Sequence, residues 1–148
     1  MLKIIIIIFG ILLFETSVFS KDEYFLTLRY DEVNLRQGPS RDYPVKILYK
    51  KKFLPVLIQD QSDNYRKIKD HENNTGWIHI SQLSKKKAAI VTDNNLIMFS
   101  SPTIYSKPIV VLKKGRLTKI IKCKNNWCKS KTSDYKGWIK KESLWGLF

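Results

Sequence analysis

Histidine, cysteine and glycine are scarce in this 148-residue chain, and each scarcity excludes a kind of chemistry. The two histidines are His71, in a polar hairpin segment, and His79, on the strand after Trp77. Asp70 and Glu72 flank His71, but neighbours on a strand point to opposite faces. His79 is expected to share a face with neither Trp77 nor a catalytic partner. Neither histidine stands near a cysteine, a G-x-S-x-G turn or an H-E-x-x-H helix. Six glycines, one of them in the N-terminal apolar run, leave no Gly-rich loop to cradle phosphate. Two cysteines without nearby histidines do not complete a tetrahedral metal site. With no nucleophile–base pair, metal set or cofactor motif, the chain reads as non-catalytic and free of cofactors.

A sustained 3.6-residue period is missing beyond the N-terminus. There, Met1-Leu2-Lys3 precedes eleven apolar residues, Ile4 to Phe14, broken only by Gly10. Eleven helical residues cover about half of a ~30 Å hydrocarbon core, too few to span it. One positive charge, a short apolar run and small residues before polar Lys21 make a secretory signal, with cleavage expected after Ser20. The alternative is an uncleaved N-terminal anchor. The signal implies export, and a periplasmic or secreted location is expected. No cysteine follows the run, which argues against a lipid-anchored lipoprotein.

Acidic residues are few where basic ones are many, giving a formal net charge of +14. The imbalance is local. Residues 21–84 carry 11 Lys/Arg against 9 Asp/Glu, whereas residues 85–148 carry 15 against 3. A basic second half suggests attraction to something anionic, such as lipid phosphate, cell-wall carboxylate or an acidic protein. The competing explanation is compositional bias, in which exposed strand faces become lysine by default. Nucleic acid is disfavoured as a partner, since no recognition helix or aromatic stacking motif is present.

What the chain does have is a pattern written twice. Val33-Asn34-Leu35-Arg36-Gln37-Gly38-Pro39-Ser40 leads to Gly76-Trp77-Ile78 and Leu83, and a worn copy runs from Ile97-Met98 to Gly137-Trp138-Ile139 and Leu144. Pro39 pairs with Pro102, Pro44 with Pro108, Leu48 with Leu112 and Tyr65 with Trp127. A repeat this long is a small domain rather than a solenoid unit. Short alternating apolar runs predict six strands per repeat, near 25–30, 33–36, 45–49, 54–59, 65–69 and 76–80, then 88–92, 96–99, 109–112, 117–123, 127–131 and 136–140. A helical turn is expected after each Gly-Trp strand, at Ser81–Leu83 and Glu142–Leu144. The predicted class is all-β: two tandem small barrels, residues 21–84 and 85–148, after a signal of residues 1–20. Lys85-Lys86-Lys87 is too short for a free linker, so the modules should touch.

Cys123 and Cys128 flank an Asn-Asn turn and would face each other across a hairpin, at a spacing a disulfide can bridge. Export supplies the oxidising compartment. Metal binding and a redox pair fit the spacing less well.

The run from Phe25 to Ser40, with Tyr43-Pro44-Val45 behind it and Gly76-Trp77-Ile78 closing the barrel, resembles the bacterial SH3-like (SH3b) family. The form with two such domains behind a signal peptide, ending near Leu144-Trp145-Gly146, is common in alphaproteobacteria. The resemblance is specific in the first repeat and loose in the second, where Met98-Phe99 and Ser101 replace Leu35-Arg36 and Gly38. It implies small β-barrels that bind or target, commonly on cell-wall peptides or envelope proteins. Gly38 is expected to supply the positive φ of a tight turn before Pro39. Five residues are candidate ligand contacts. Arg36 either forks onto a ligand carboxylate or closes a salt bridge to Asp31, Glu32 or Asp42. Tyr43 and Tyr65 offer groove-lining rings, and Trp77 and Trp138 serve either as core or rim residues or as platforms. The leading partner is a cell-wall (peptidoglycan) or other peptide of the envelope. An anionic membrane surface, an acidic envelope protein or self-association through strand edges are the alternatives.

Overall fold

The computed structural model describes residues 22–148; the expected signal and its cleavage site lie outside them. The described chain is all-β, with two seven-stranded antiparallel sheets. The first holds β1 Tyr24–Leu28, β2 Val33–Arg36, β3 Val45–Tyr49, β4 Pro55–Ser62, β5 Tyr65–Lys69, β6 Thr75–His79 and β7 Leu83–Ser84. The second holds β8 Ala88–Val91, β9 Asn95–Phe99, β10 Pro108–Lys113, β11 Leu117–Lys124, β12 Trp127–Thr132, β13 Tyr135–Lys140 and β14 Leu144–Trp145. Their strand orders, β3-β2-β6-β5-β4-β1-β7 and β10-β9-β13-β12-β11-β8-β14, are the same order written twice. Each barrel closes through a 3-10 turn, Ile80–Gln82 or Lys141–Ser143, which delivers the last short strand.

Period-two alternation sends one set of side chains inward. In the first barrel Leu28, Val33, Leu35, Val56, Ile58, Ile68, Ile78 and Leu83 form the core. The second core is thinner: Val91, Leu96, Met98, Leu112 and Ile139. The places of Val56 and Ile68 in the first barrel are taken by Thr118 and Ser130 in the second, both buried. Thr118 Oγ1 donates to Lys131 O (3.3 Å) and the neighbouring Thr132 Oγ1 to Leu117 O (3.0 Å), whereas the buried Ser130 Oγ has no hydrogen-bond partner. A small domain with a polar-diluted core needs a staple. The expected disulfide Cys123–Cys128 supplies it, joining directly opposed residues at the tip of the β11–β12 hairpin.

Gly76 and Gly137 are where β6 and β13 cross close beneath β2 and β9. A Cβ on Gly76 would stand 2.7 Å from Arg36 O and one on Gly137 2.6 Å from Phe99 O. Their role is backbone approach, and the tryptophan beside each points away from the core.

The barrels share a packed boundary, as the short lysine linker requires. Ile90, at the start of the second barrel, is 2 % exposed and belongs to the first barrel's core, with Leu117 packed against it. The C-terminal segment folds back: Phe25 meets the rings of Trp145 and Phe148 at 5.0 and 4.8 Å. Thr27 Oγ1 donates to Lys86 O at 2.7 Å.

Candidate ligand-binding grooves

The loop between β2 and β3 folds over the outer face of the first barrel. Its geometry departs from the sequence expectation. Gly38 does not take a positive φ; a Cβ there would lie 2.5 Å from the Tyr43 ring, so glycine is needed for space. Arg36 does not bridge to Asp31, Glu32 or Asp42. Its Nη1 donates to Tyr43 O at 2.9 Å and, more weakly, to Arg41 O at 3.4 Å, tying the loop to the strand beneath. The carbonyls win because the loop arches directly over a guanidinium that can reach no farther carboxylate without leaving them.

Arg36 and Tyr65 are brought together. With Asn34, Arg41, His79, Ser81 and Gln82 they line a polar notch of about 70 Å³. Tyr43 is instead stacked on Gly38, and Trp77 lies opposite Arg36 and Lys67 on the same outer face without lining the notch. His79 does share that face with Trp77, since residues two apart on a strand point the same way. Its ring meets Tyr65 edge-on at 5.1 Å. His79 Nδ1 lies 2.7 Å from Ser81 Oγ and accepts from Ser81 N–H, which caps the 3-10 turn at Ile80–Gln82. A serine and a histidine thus meet, but as a cap.

The second barrel carries a groove at the equivalent place. Pro102, Thr103, Ile104, Asn126, Trp127, Lys140 and Glu142 surround about 400 Å³. Trp127 holds the position of Tyr65, Lys140 that of His79 and Glu142 that of Ser81. Phe99 replaces Arg36 and supports Trp127 edge-on at 5.8 Å. With no arginine to hold the loop, Ser106 does so: its Oγ donates within reach of Ser101 O (3.0 Å) and Thr103 O (2.8 Å) and accepts from Ser101 N–H. Where the first barrel has a small notch, the second has a wider groove lined by Trp127 and by the opposite charges of Lys140 and Glu142. Sequence reasoning missed Trp127, Lys140 and Glu142 as site residues. The pairing of Tyr65 with Trp127 in the repeat was the signal that could have found them. Trp138, by contrast, lies outside this groove, under the ammonium groups of Lys122 and Lys129 at 5.8 and 6.0 Å.

The disulfide lies beside Trp127 and Asn126, so the staple of the thin core also fixes the groove floor. Among the described residues no group of three or more His, Cys, Asp or Glu is placed to hold a metal.

Two barrels of one topology, each with a loop-covered groove at the same place, define a tandem small-barrel protein. The bacterial SH3 domain family matches it twice, over residues 29–85 and 92–146, and the chain belongs to that family. Two solved structures are similar to it: NlpC2 and NlpC1 from Trichomonas vaginalis, each 12% identical, with TM-scores of 0.39 and 0.38. The alignments cover 84% and 93% of this chain and 48% and 50% of those chains, so it spans about half their length. No curated protein sequence matches it.

Proposed function

We propose that this protein is an exported, non-catalytic binding module of the cell envelope, which takes short peptide or cell-wall (peptidoglycan) components in the loop-covered grooves of its barrels. The observation that carries this reading is the recurrence of one groove at one place in both repeats, in a family of SH3 domains. The second groove fits the ligand class: Trp127 offers a flat apolar face to a sugar ring or side chain. Lys140 and Glu142 offer one charge of each sign to a zwitterionic peptide. The first notch, with Arg36 and Arg41, suits a single carboxylate. Self-association through strand edges is less well supported. The edge strands β3 and β10 carry Lys46 and Lys113, and β10 opens with Pro108, devices that discourage edge pairing.

The test is co-sedimentation of residues 22–148 with purified sacculi at physiological salt. The parent should pellet with them, Trp127→Ala should lose most of that binding, and Tyr105→Ala, exposed outside the groove, should keep it. Absence of pelleting by the parent would sink the ligand class.

A further inference from the structure

The outer face of the second barrel carries a second surface, which meets the groove at Lys140. The pairing register aligns Lys119, Lys122 and Lys124 of β11, Lys129 and Lys131 of β12, and Lys136 and Lys140 of β13 on it. Three pairs stand directly opposite one another: Lys119 with Lys131, Lys122 with Lys129, and Lys131 with Lys136. Like charges in directly opposed positions weaken a sheet. These three strands contain no aspartate or glutamate.

The first barrel shows that the scaffold does not demand this. Its matching positions are Leu57, Asp60, Ser62, Lys67, Lys69, Thr75 and His79, and there Asp60 stands opposite Lys67. Lysine is twice as frequent in residues 85–148 as in residues 21–84, 14 against 7. Most of the excess falls on this face, which holds seven lysines where the matching first-barrel positions hold two lysines and an aspartate; a bias acting on the whole chain would not concentrate them so. The grid also continues across the domain boundary. Lys119 lies 4.4 Å from the centre of the Phe53 ring, which Lys52 and Lys86 approach at 5.4 and 5.8 Å.

We propose that this lysine face docks the protein on an anionic lipid bilayer. A sheet sets its outward side chains about 4.8 Å apart across strands and ~7 Å apart along them, a plane of charge rather than a cleft. A plane of charge complements a plane of phosphate headgroups. Near the middle, Trp138 is half-buried under two lysines, and Ile121 beside Lys122 is 50% exposed, giving the face an interfacial ring and a small apolar contact. Docking would leave the Trp127 groove, at the end of the same sheet, at the rim of the contact.

The experiment uses residues 22–148 and vesicles of phosphatidylcholine with or without 30 mol% phosphatidylglycerol, that mole fraction being roughly enough for several anionic heads under the grid. Binding should require phosphatidylglycerol and fall steeply between ~0.1 and ~0.5 M salt, as screening shortens the range of exposed charges. The variant Lys122→Glu with Lys131→Glu turns all three opposed lysine pairs into opposite-charge pairs. It should bind roughly 10²- to 10³-fold more weakly, at about fivefold per charge, and should melt no lower than the parent. Lys122→Gln with Lys131→Gln should lose about the square root of that factor. The control Lys107→Glu with Lys114→Glu makes the same charge change off the face and should cost far less. Equal losses in control and variant, binding to pure phosphatidylcholine, or tighter binding to soluble polyphosphate than to vesicles would each overturn the proposal. Neither Lys122 nor Lys131 lines the groove, so loss of sacculus binding in Trp127→Ala and loss of vesicle binding in the reversal fail independently.

Discussion

Removing one hydroxyl should expose how the first barrel is held against the second. Tyr49 is 8% exposed, and its OH donates to Asp70 Oδ2 at 2.8 Å. Asp70 is more buried still and also accepts from Glu72 N–H, Asn74 N–H and the Asn74 side-chain amide, at 2.9, 2.8 and 2.9 Å. That one carboxylate organises the β5–β6 turn, which lies with Tyr49, Ile90 and Gly115 around the boundary between barrels. A hydrogen bond to a buried charged group contributes about 1.5–3 kcal/mol. Asp70 keeps three donors when the hydroxyl goes, so Tyr49→Phe should cost about 2 kcal/mol at neutral pH. Burial, then the bond to Asp70 and its charge, push the Tyr49 phenol far above its ordinary value. The unfolded chain ionises near the ordinary value while the folded chain does not. The unfolded state therefore holds fewer protons above pH ~10, and stability falls there by about 1.4 kcal/mol per pH unit from this group. Phenylalanine has no such term. The gap between parent and Tyr49→Phe should be constant from pH 6 to 9 and shrink by about 1.4 kcal/mol at pH 11. Urea unfolding at each pH, followed by tryptophan fluorescence, measures it. A gap that stays constant to pH 11 would refute the reasoning, because it would mean that Tyr49 ionises as readily folded as unfolded.

Three more outcomes follow from the packing. Reducing the Cys123–Cys128 bond returns conformational entropy to the unfolded chain and should cost the second barrel about 2 kcal/mol; Trp127 emission should shift red at the same time, and calorimetry and fluorescence with and without reductant read the two effects. Gly38→Ala should cost about 1–3 kcal/mol through the clash with the Tyr43 ring and loosen the Arg36–Tyr43 carbonyl bond, seen as shifts of the Tyr43 ring and Arg36 side-chain signals in NMR. Ile90→Ala should cost about 2–5 kcal/mol, and hydrogen exchange should place the loss in the first barrel although the residue belongs to the second.

The strands were legible because alternation is a strong signal where one face is buried: Val33-Asn34-Leu35-Arg36 reads in-out-in-out and folds so. The disulfide was legible from two cysteines around an Asn-Asn turn. The two-residue strands Leu83–Ser84 and Leu144–Trp145 were not, because so short a segment has no period and is strand only by pairing with β1 and β8. Within the candidate site, Arg36 and Tyr65 were found and do meet, but Arg36's partners were misjudged. Carboxylates are visible in a sequence, whereas the carbonyls of Arg41 and Tyr43 become partners only once the loop has folded over. Trp138 was chosen for its motif and Trp127 passed over for lacking one, yet Trp127 floors the groove. Position in the repeat carried more information than the motif did.

The same comparison bears on why a second barrel with a poor core persists beside a better one. Thr118 and Ser130 in place of Val56 and Ile68 cost it core, and three opposed lysine pairs cost it more. A disulfide at the hairpin tip and Ile90 inserted in its neighbour's core offset part of that loss. Features that weaken a fold, and that its twin shows to be dispensable for the fold, point to the surface they build rather than to the barrel beneath. In the first barrel the matching sheet face carries two lysines and an aspartate, and its notch is small. In the second, the groove is open and the sheet face is a grid of one sign. On the proposed reading the repeat divides the work: the first barrel supplies the larger core and a small notch, and the second, leaning on it, presents the open groove and the lysine face.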